Sequence, residues 1–188
     1  MKNGLMLLGD GFEETEAIST HDILTRTHEI SLRYVSISSS LSVVSSMGLT
    51  VQAQGLLSQE NLANADFLVL PGGKKGVEAL KASPTAMAAV KAFHEQAKPI
   101  YAICAAPSIL GELGYLDGKN YTCFPGFQCG KGHYQENGVV IDGDLITGHS
   151  MAYTIAFAEA IVKAQLGLAA VKAIYHGTRG ADYPSESK

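Results

Sequence analysis

The 188-residue sequence has no tryptophan, only 3 cysteines and only 6 prolines. An odd, small cysteine count argues against a disulfide framework and points to reduced thiols and a cytoplasmic setting. Long apolar runs are also missing. The longest, Ile100 to Ala106, is seven residues, against the roughly 20 that a membrane-spanning helix needs. No basic stretch followed by a long apolar one opens the chain, so no secretory signal is expected. Positive charge is scarce: 14 Lys and Arg against 18 Asp and Glu give a net charge of -4. Such a surface has no field to draw nucleic acid or anionic lipid, so neither partner is expected. Internal repeats, low-complexity tracts and linkers are absent as well. What remains is 46% apolar and 17% charged residues, a balance that buries a core. The expectation is one domain over 1–188, with 180–188 as a flexible tail.

Strand and helix patterns alternate along this chain. Gly4 to Leu8, Phe67 to Leu70 and Ile100 to Ile103 are short apolar runs bounded by glycine or proline, as strands buried on both faces are. Ile30 to Ile37 reads as a further strand, and Val43 to Ala53 as a small hairpin or edge pair. Asp142-Gly143-Asp144 turns Val139–Ile141 back onto Leu145–Thr147. Helices are expected over Thr15–Thr27, from the Ser83 cap and Pro84 through Gln96, after Cys104 up to Gly114, over Met151–Leu166 and over Ala169–Tyr175. This order predicts an α/β fold, a mostly parallel sheet with helices on both faces. In such folds the site lies beyond the carboxyl ends of the strands, so the residues after Leu8, Leu70 and Ile103 carry the information.

After Leu8 comes an acidic loop with Asp10, Glu13, Glu14 and Glu16. Carboxylates there repel phosphate, which argues against a nucleotide or flavin phosphate site. Glu13 and Glu14 suit a helix N-terminus, and Glu16 is placed to point back into the cleft. After Leu70 comes Pro71-Gly72-Gly73, whose small residues let backbone N–H groups face an anion. After Ile103 comes Cys104, at a strand-to-helix junction flanked by the small residues Ala102 and Ala106. That is the logic of a nucleophile elbow, with the helix dipole expected to favour the thiolate.

Glu13-Glu14-Thr15-Glu16, Leu70-Pro71-Gly72-Gly73 and Ala102-Ile103-Cys104-Ala105-Ala106-Pro107 together resemble the ThiJ/PfpI superfamily, in particular its DJ-one-like deglycase branch. The resemblance runs over roughly Lys2 to Gly167. It implies a flavodoxin-like three-layer sandwich of the class I glutamine amidotransferase kind, a homodimer, and no cofactor or metal. It implies Cys104 as nucleophile and Glu16 as its partner acid. It places an oxyanion and substrate site at Gly72, Gly73 and Ala105, with Arg26 near the pocket. The sequence departs from the family at its usual histidines: Ala105 follows the cysteine, and Phe124-Pro125 stands where other members have His-Pro. His149, after Thr147-Gly148, is the best substitute, and His133 lies in a glycine-rich loop. The spacing of Cys123, Cys129 and His133 matches no zinc pattern and lacks a fourth ligand.

The expected activity is glyoxalase- or deglycase-like chemistry on small 2-oxoaldehydes through the Cys104 thiolate and Glu16. One alternative is an oxidative-stress sensor or chaperone-like protein whose Cys104 is oxidised. Another is a hydrolase, hydratase or peptidase using Cys104 with His149. The expected partners are accordingly a small carbonyl substrate or an oxidant.

Overall fold

The computed structural model describes residues 1–184. Residues 185–188 of the expected tail lie outside the described residues. In chain order the elements are β1 (Lys2–Leu8), α1 (Glu14–Thr25), β2 (Ile30–Ser36), β3 (Ser42–Val44), β4 (Thr50–Gln52), β5 (Gly55–Leu56), β6 (Phe67–Leu70), α2 (Lys74–Ala82), α3 (Pro84–Glu95), β7 (Ile100–Ile103), α4 (Pro107–Glu112), β8 (Asn120–Tyr121), β9 (His133–Tyr134), β10 (Val139–Asp142), β11 (Leu145–Gly148), α5 (Thr154–Leu166) and α6 (Leu168–Arg179).

The main sheet has seven strands in the order β10-β11-β7-β6-β1-β2-β5. Every pairing in it is parallel except β10 with β11, the hairpin expected around Gly143. Strand alternation explains the two cores, because successive side chains of a strand point to opposite faces. Leu5 and Leu7 of β1, with Leu68 and Leu70 of β6, face Val77, Leu80, Val90 and Phe93 of α2 and α3. Met6 and Leu8, with Phe67 and Val69, face Ala17 and Leu24 of α1 and Phe157 and Ile161 of α5. The result is the expected three-layer sandwich. No described helix is long and apolar enough to cross a membrane.

Several boundaries differ from the sequence reading. Helix α2 was not expected: its two opening lysines and Gly76 dilute the apolar face that Val77 and Leu80 supply. The pattern over Met151–Leu166 divides, with a short 3-10 turn over Met151–Tyr153 before α5 begins. Helix α6 runs on to Arg179, ending at Gly180 in the left-handed region (φ 64°) that suits a helix stop. Past that stop, Tyr183 packs on Tyr175 with ring centroids 5.0 Å apart. The hairpin expected over Val43–Ala53 forms as β3 and β4, but as a sheet of its own.

Two features of this frame position the site. The loop after β1 and the loop after β6 are bonded to each other, Glu13 N–H donating to the Gly72 carbonyl at 3.0 Å. Helix α2 also presses directly on the first loop. A Cβ on Gly76 would lie 2.7 Å from both the Cα and the backbone nitrogen of Phe12. An alanine in a helix interior is normally favoured over glycine by about 1 kcal/mol. Here the clash is with backbone and reverses the sign. Gly76→Ala is expected to destabilise the fold by about 1–3 kcal/mol, read by urea denaturation.

Candidate active site

Cys104 follows the last residue of β7 and is one of only three described non-glycine residues with positive φ, at 63°. That conformation is disfavoured for a side-chain-bearing residue by on the order of 1–3 kcal/mol unless its surroundings enforce it. They do. Its N–H donates to the Gly148 carbonyl at 2.8 Å, and its own carbonyl accepts from Phe124 N–H at 2.8 Å. The neighbours that a sharp turn needs small, Ala102 and Ala106, are fully buried. The strand-to-helix elbow expected from the sequence is therefore present, with the half-buried thiol at its apex.

Glu16 enters from α1. Glu13 caps that helix, its carboxylate accepting from Glu16 N–H at 2.7 Å, so the chain turns and sends Glu16 inward. The Glu16 side chain is buried, 1% exposed, and its Oε2 accepts from Gly72 N–H at 2.7 Å. Its Oε1 is sealed from solvent and makes no hydrogen bond of regular geometry. The Cys104 thiol is the remaining polar neighbour of this carboxyl. Gly72 is where the pair meets: a Cβ there would lie 2.7 Å from the Cys104 Cβ and 2.8 Å from Glu16 Oε2.

Electrostatics follow from that burial. Loss of solvent pushes the Glu16 carboxyl from about 4.5 up to about 7, against the Gly72 N–H bond, with the nearby Glu13 charge adding to the rise. Burial also pushes the Cys104 thiol up, and the Glu16 charge raises it further. The N–H groups of Ala105 and Gly73 oppose this by pointing at the sulfur. Two acids so close cannot both ionise readily, so the pair carries at most one negative charge, and none while Glu16 keeps its proton. This corrects the expectation of a thiolate favoured by the helix dipole. Helix α4 spans only Pro107–Glu112, beginning three residues past the cysteine, and burial with the neighbouring carboxylate outweighs it.

The remaining candidates divide. Gly73, at φ 85°, and Ala105 bring N–H groups to the sulfur, as an anion site requires. Gly72 does not add a free donor, because its N–H is committed to Glu16. Arg26 is away from the site. It forms the C-terminal end of α1 and pairs with Asp22 at 2.7 Å. Ten residues of helix past Glu16 set it about 15 Å along the axis. His149 directly follows the residue whose carbonyl holds Cys104, yet its ring is not a hydrogen-bond partner of the thiol. The imidazole lies 6.5 Å from the Phe124 ring and 5.9 Å from Tyr153, centroid to centroid, with Nδ1 buried and unpartnered. His133 is exposed on β9, Cys123 is buried in the core, and Cys129 donates to the Ser108 carbonyl at 3.3 Å. Two contributors were not singled out from sequence, Gly148 and Phe124. Their only trace was position, one at a strand end and one where the family's histidine was missing.

The chain as a whole has counterparts among known proteins. Residues 2–164 match the DJ-1/PfpI family. Protein DJ-1 homolog B of Arabidopsis thaliana is 37% identical over 163 residues, 85% of this chain and 37% of that protein. The chain thus spans little more than a third of the plant protein's length. A Thermococcus kodakarensis protein named Deglycase TK1284 is 34% identical over 119 residues, 63% of this chain and 69% of its own. A solved DJ-1 superfamily protein from Salmonella typhimurium superimposes with a TM-score of 0.89 at 34% identity, covering 98% of this chain and 100% of that one.

The raised Glu16 carboxyl has a measurable sign. Because the folded state holds this proton more tightly than the unfolded chain does, its stability is undiminished below pH 4.5 and falls as pH rises through about 7. Relative to Glu16→Gln, the wild type is expected to lose about 3 kcal/mol of folding free energy between those limits. Denaturation curves of both proteins across that range read the difference.

Proposed function

The chain belongs to the DJ-1/PfpI family, and from that premise we propose that Cys104 and Glu16 convert small 2-oxoaldehydes to 2-hydroxy acids without an organic cofactor. The observation that carries this reading is the pairing of a thiol in a strained turn with a buried carboxyl that titrates near neutrality. A relative named deglycase adds support for aldehyde chemistry in the family.

The chemistry needs a nucleophile, a mobile proton and an anion site. The Glu16 carboxylate takes the Cys104 proton as sulfur bonds to the aldehyde carbon and the C=O pair moves to oxygen. Glu16 then returns the proton to that oxygen, giving a hemithioacetal. The Ala105 and Gly73 N–H groups, already aimed at the sulfur, lie beside the developing oxyanion. Glu16 next removes the hydrogen on the former aldehyde carbon as a proton, the C–H pair forms the C=C bond, and Glu16 returns that proton to the keto oxygen, giving the enediol. The hydroxyl on the former aldehyde carbon then gives its proton to Glu16 as its C=O bond forms, and Glu16 delivers that proton to the adjacent carbon, giving the thioester. Water attacks its carbonyl, the C–S bond breaks, and sulfur leaves with a proton. The aldehyde carbon is oxidised and the ketone carbon reduced, so no external oxidant or reductant enters.

A second reading rests on the same N–H groups: a sulfinate on Cys104 would find donors in Ala105, Gly73 and protonated Glu16. The chain would then act as a peroxide sensor.

Both readings are tested on purified full chain. With methylglyoxal, Cys104→Ala is expected to abolish lactate formation and Glu16→Gln to lower kcat about 100-fold. The wild-type kcat/KM is expected to rise with pH through about 7, and Glu16→Gln to lack that limb. Lactate formation unchanged by both substitutions ends the enzyme reading. Under graded peroxide, mass spectrometry is expected to find oxygen on Cys104 first; earlier oxidation of Cys123 or Cys129 ends the sensor reading.

A further inference from the structure

Four rings form a continuous row past the nucleophile. Phe127, Phe124, His149 and Tyr153 follow one another with centroid separations of 6.4, 6.5 and 5.9 Å. Both middle members are tied to Cys104 through backbone. Phe124 N–H holds the Cys104 carbonyl, and the Gly148 carbonyl, next to His149, holds the Cys104 N–H. The row is therefore carried on two segments whose backbones bond to Cys104 on either side. One middle member and one end stay open, with Phe124 and Tyr153 each 44% exposed.

Large aromatic side chains left in solvent on the segments that hold the backbone of Cys104 are unspent binding surface. Rings favour other rings in offset or edge-on contact at about 4.5–7 Å between centroids, the range already spanned within the row. The geometry points to a substrate whose group beyond the carbonyls is itself aromatic: an aryl 2-oxoaldehyde, its ring against Phe124 and its aldehyde at Cys104. This specificity deepens the proposed function and rests on that reading of Cys104. Phe124 is a specificity-determining residue here, occupying the place where a histidine was looked for and supplying a ring face in its stead.

The test pairs turnover with a readout that needs no turnover. Phenylglyoxal and methylglyoxal are compared as substrates. Separately, alkylation of Cys104 by phenacyl bromide and by bromoacetone is timed, each rate divided by that of free N-acetylcysteine. In alkylation sulfur bonds to the halogen-bearing carbon and bromide leaves. The wild type is expected to prefer the aryl member of each pair by about 10-fold, as one added ring contact provides. Phe124→Ala and Tyr153→Ala are expected to reduce that ratio, and Phe124→Tyr to keep it. Ile141→Ala, on the exposed face of the edge strand β10, serves as the unaffected control. A normalised alkylation ratio near one in the wild type overturns the inference, whatever the turnover. An aryl preference in alkylation with no aldehyde consumed upholds the aromatic wall and removes the catalytic reading instead.

Discussion

The site depends on one hydrogen bond, from the Gly72 N–H to the Glu16 carboxyl. It joins the turn after β6 to the first helix and holds an acid in a place where water cannot reach it. A charged carboxylate so placed is disfavoured by several kcal/mol unless paired. A single N–H offsets only part of that, which is why the proton is retained to about pH 7. Had Gly72 carried a side chain, its Cβ would have struck both Cys104 and Glu16. Glycine there is required by close approach, since the space belongs to the thiol and the carboxyl.

The same bond decides what Cys104 can be. The turn that raises it is strained, and the strain is held by the cysteine's backbone bonds to Gly148 and Phe124. The sulfur is therefore positioned by the backbone and controlled electrically by Glu16. Burial and a neighbouring negative charge oppose the thiolate, while the N–H groups of Ala105 and Gly73 favour it. The outcome is a thiol that keeps its proton beside a carboxyl that titrates near 7. An acid and a nucleophile set this way need no histidine between them for the steps proposed, consistent with Ala105 and Phe124 standing where family histidines would be.

Much of this was legible in the sequence because it follows from local rules. The strands β1, β6 and β7 are apolar runs cut off by glycine, proline or the cysteine itself, and in such folds their ends mark the site. Cys104, Glu16 and Gly73 were singled out that way. Helix α2 was missed because it is short and its apolar face rests on only two large residues, Val77 and Leu80, set among lysines and Gly76. Arg26 was misplaced because position along the chain does not show that α1 runs away from the cleft. The commitment of the Gly72 N–H to Glu16, and the hold of Phe124 on the nucleophile, are contacts between distant segments. No local pattern encodes them.

The central claim is that Glu16 keeps its proton far above the usual carboxylate range. Infrared difference spectroscopy of the protonated-carboxyl stretch, wild type minus Glu16→Gln, observes that proton directly as pH is varied. The account predicts a band assigned to Glu16 that persists well above pH 4.5 and halves near pH 7. A band already lost around pH 4.5 would mean an ordinary, solvated carboxylate and would contradict it.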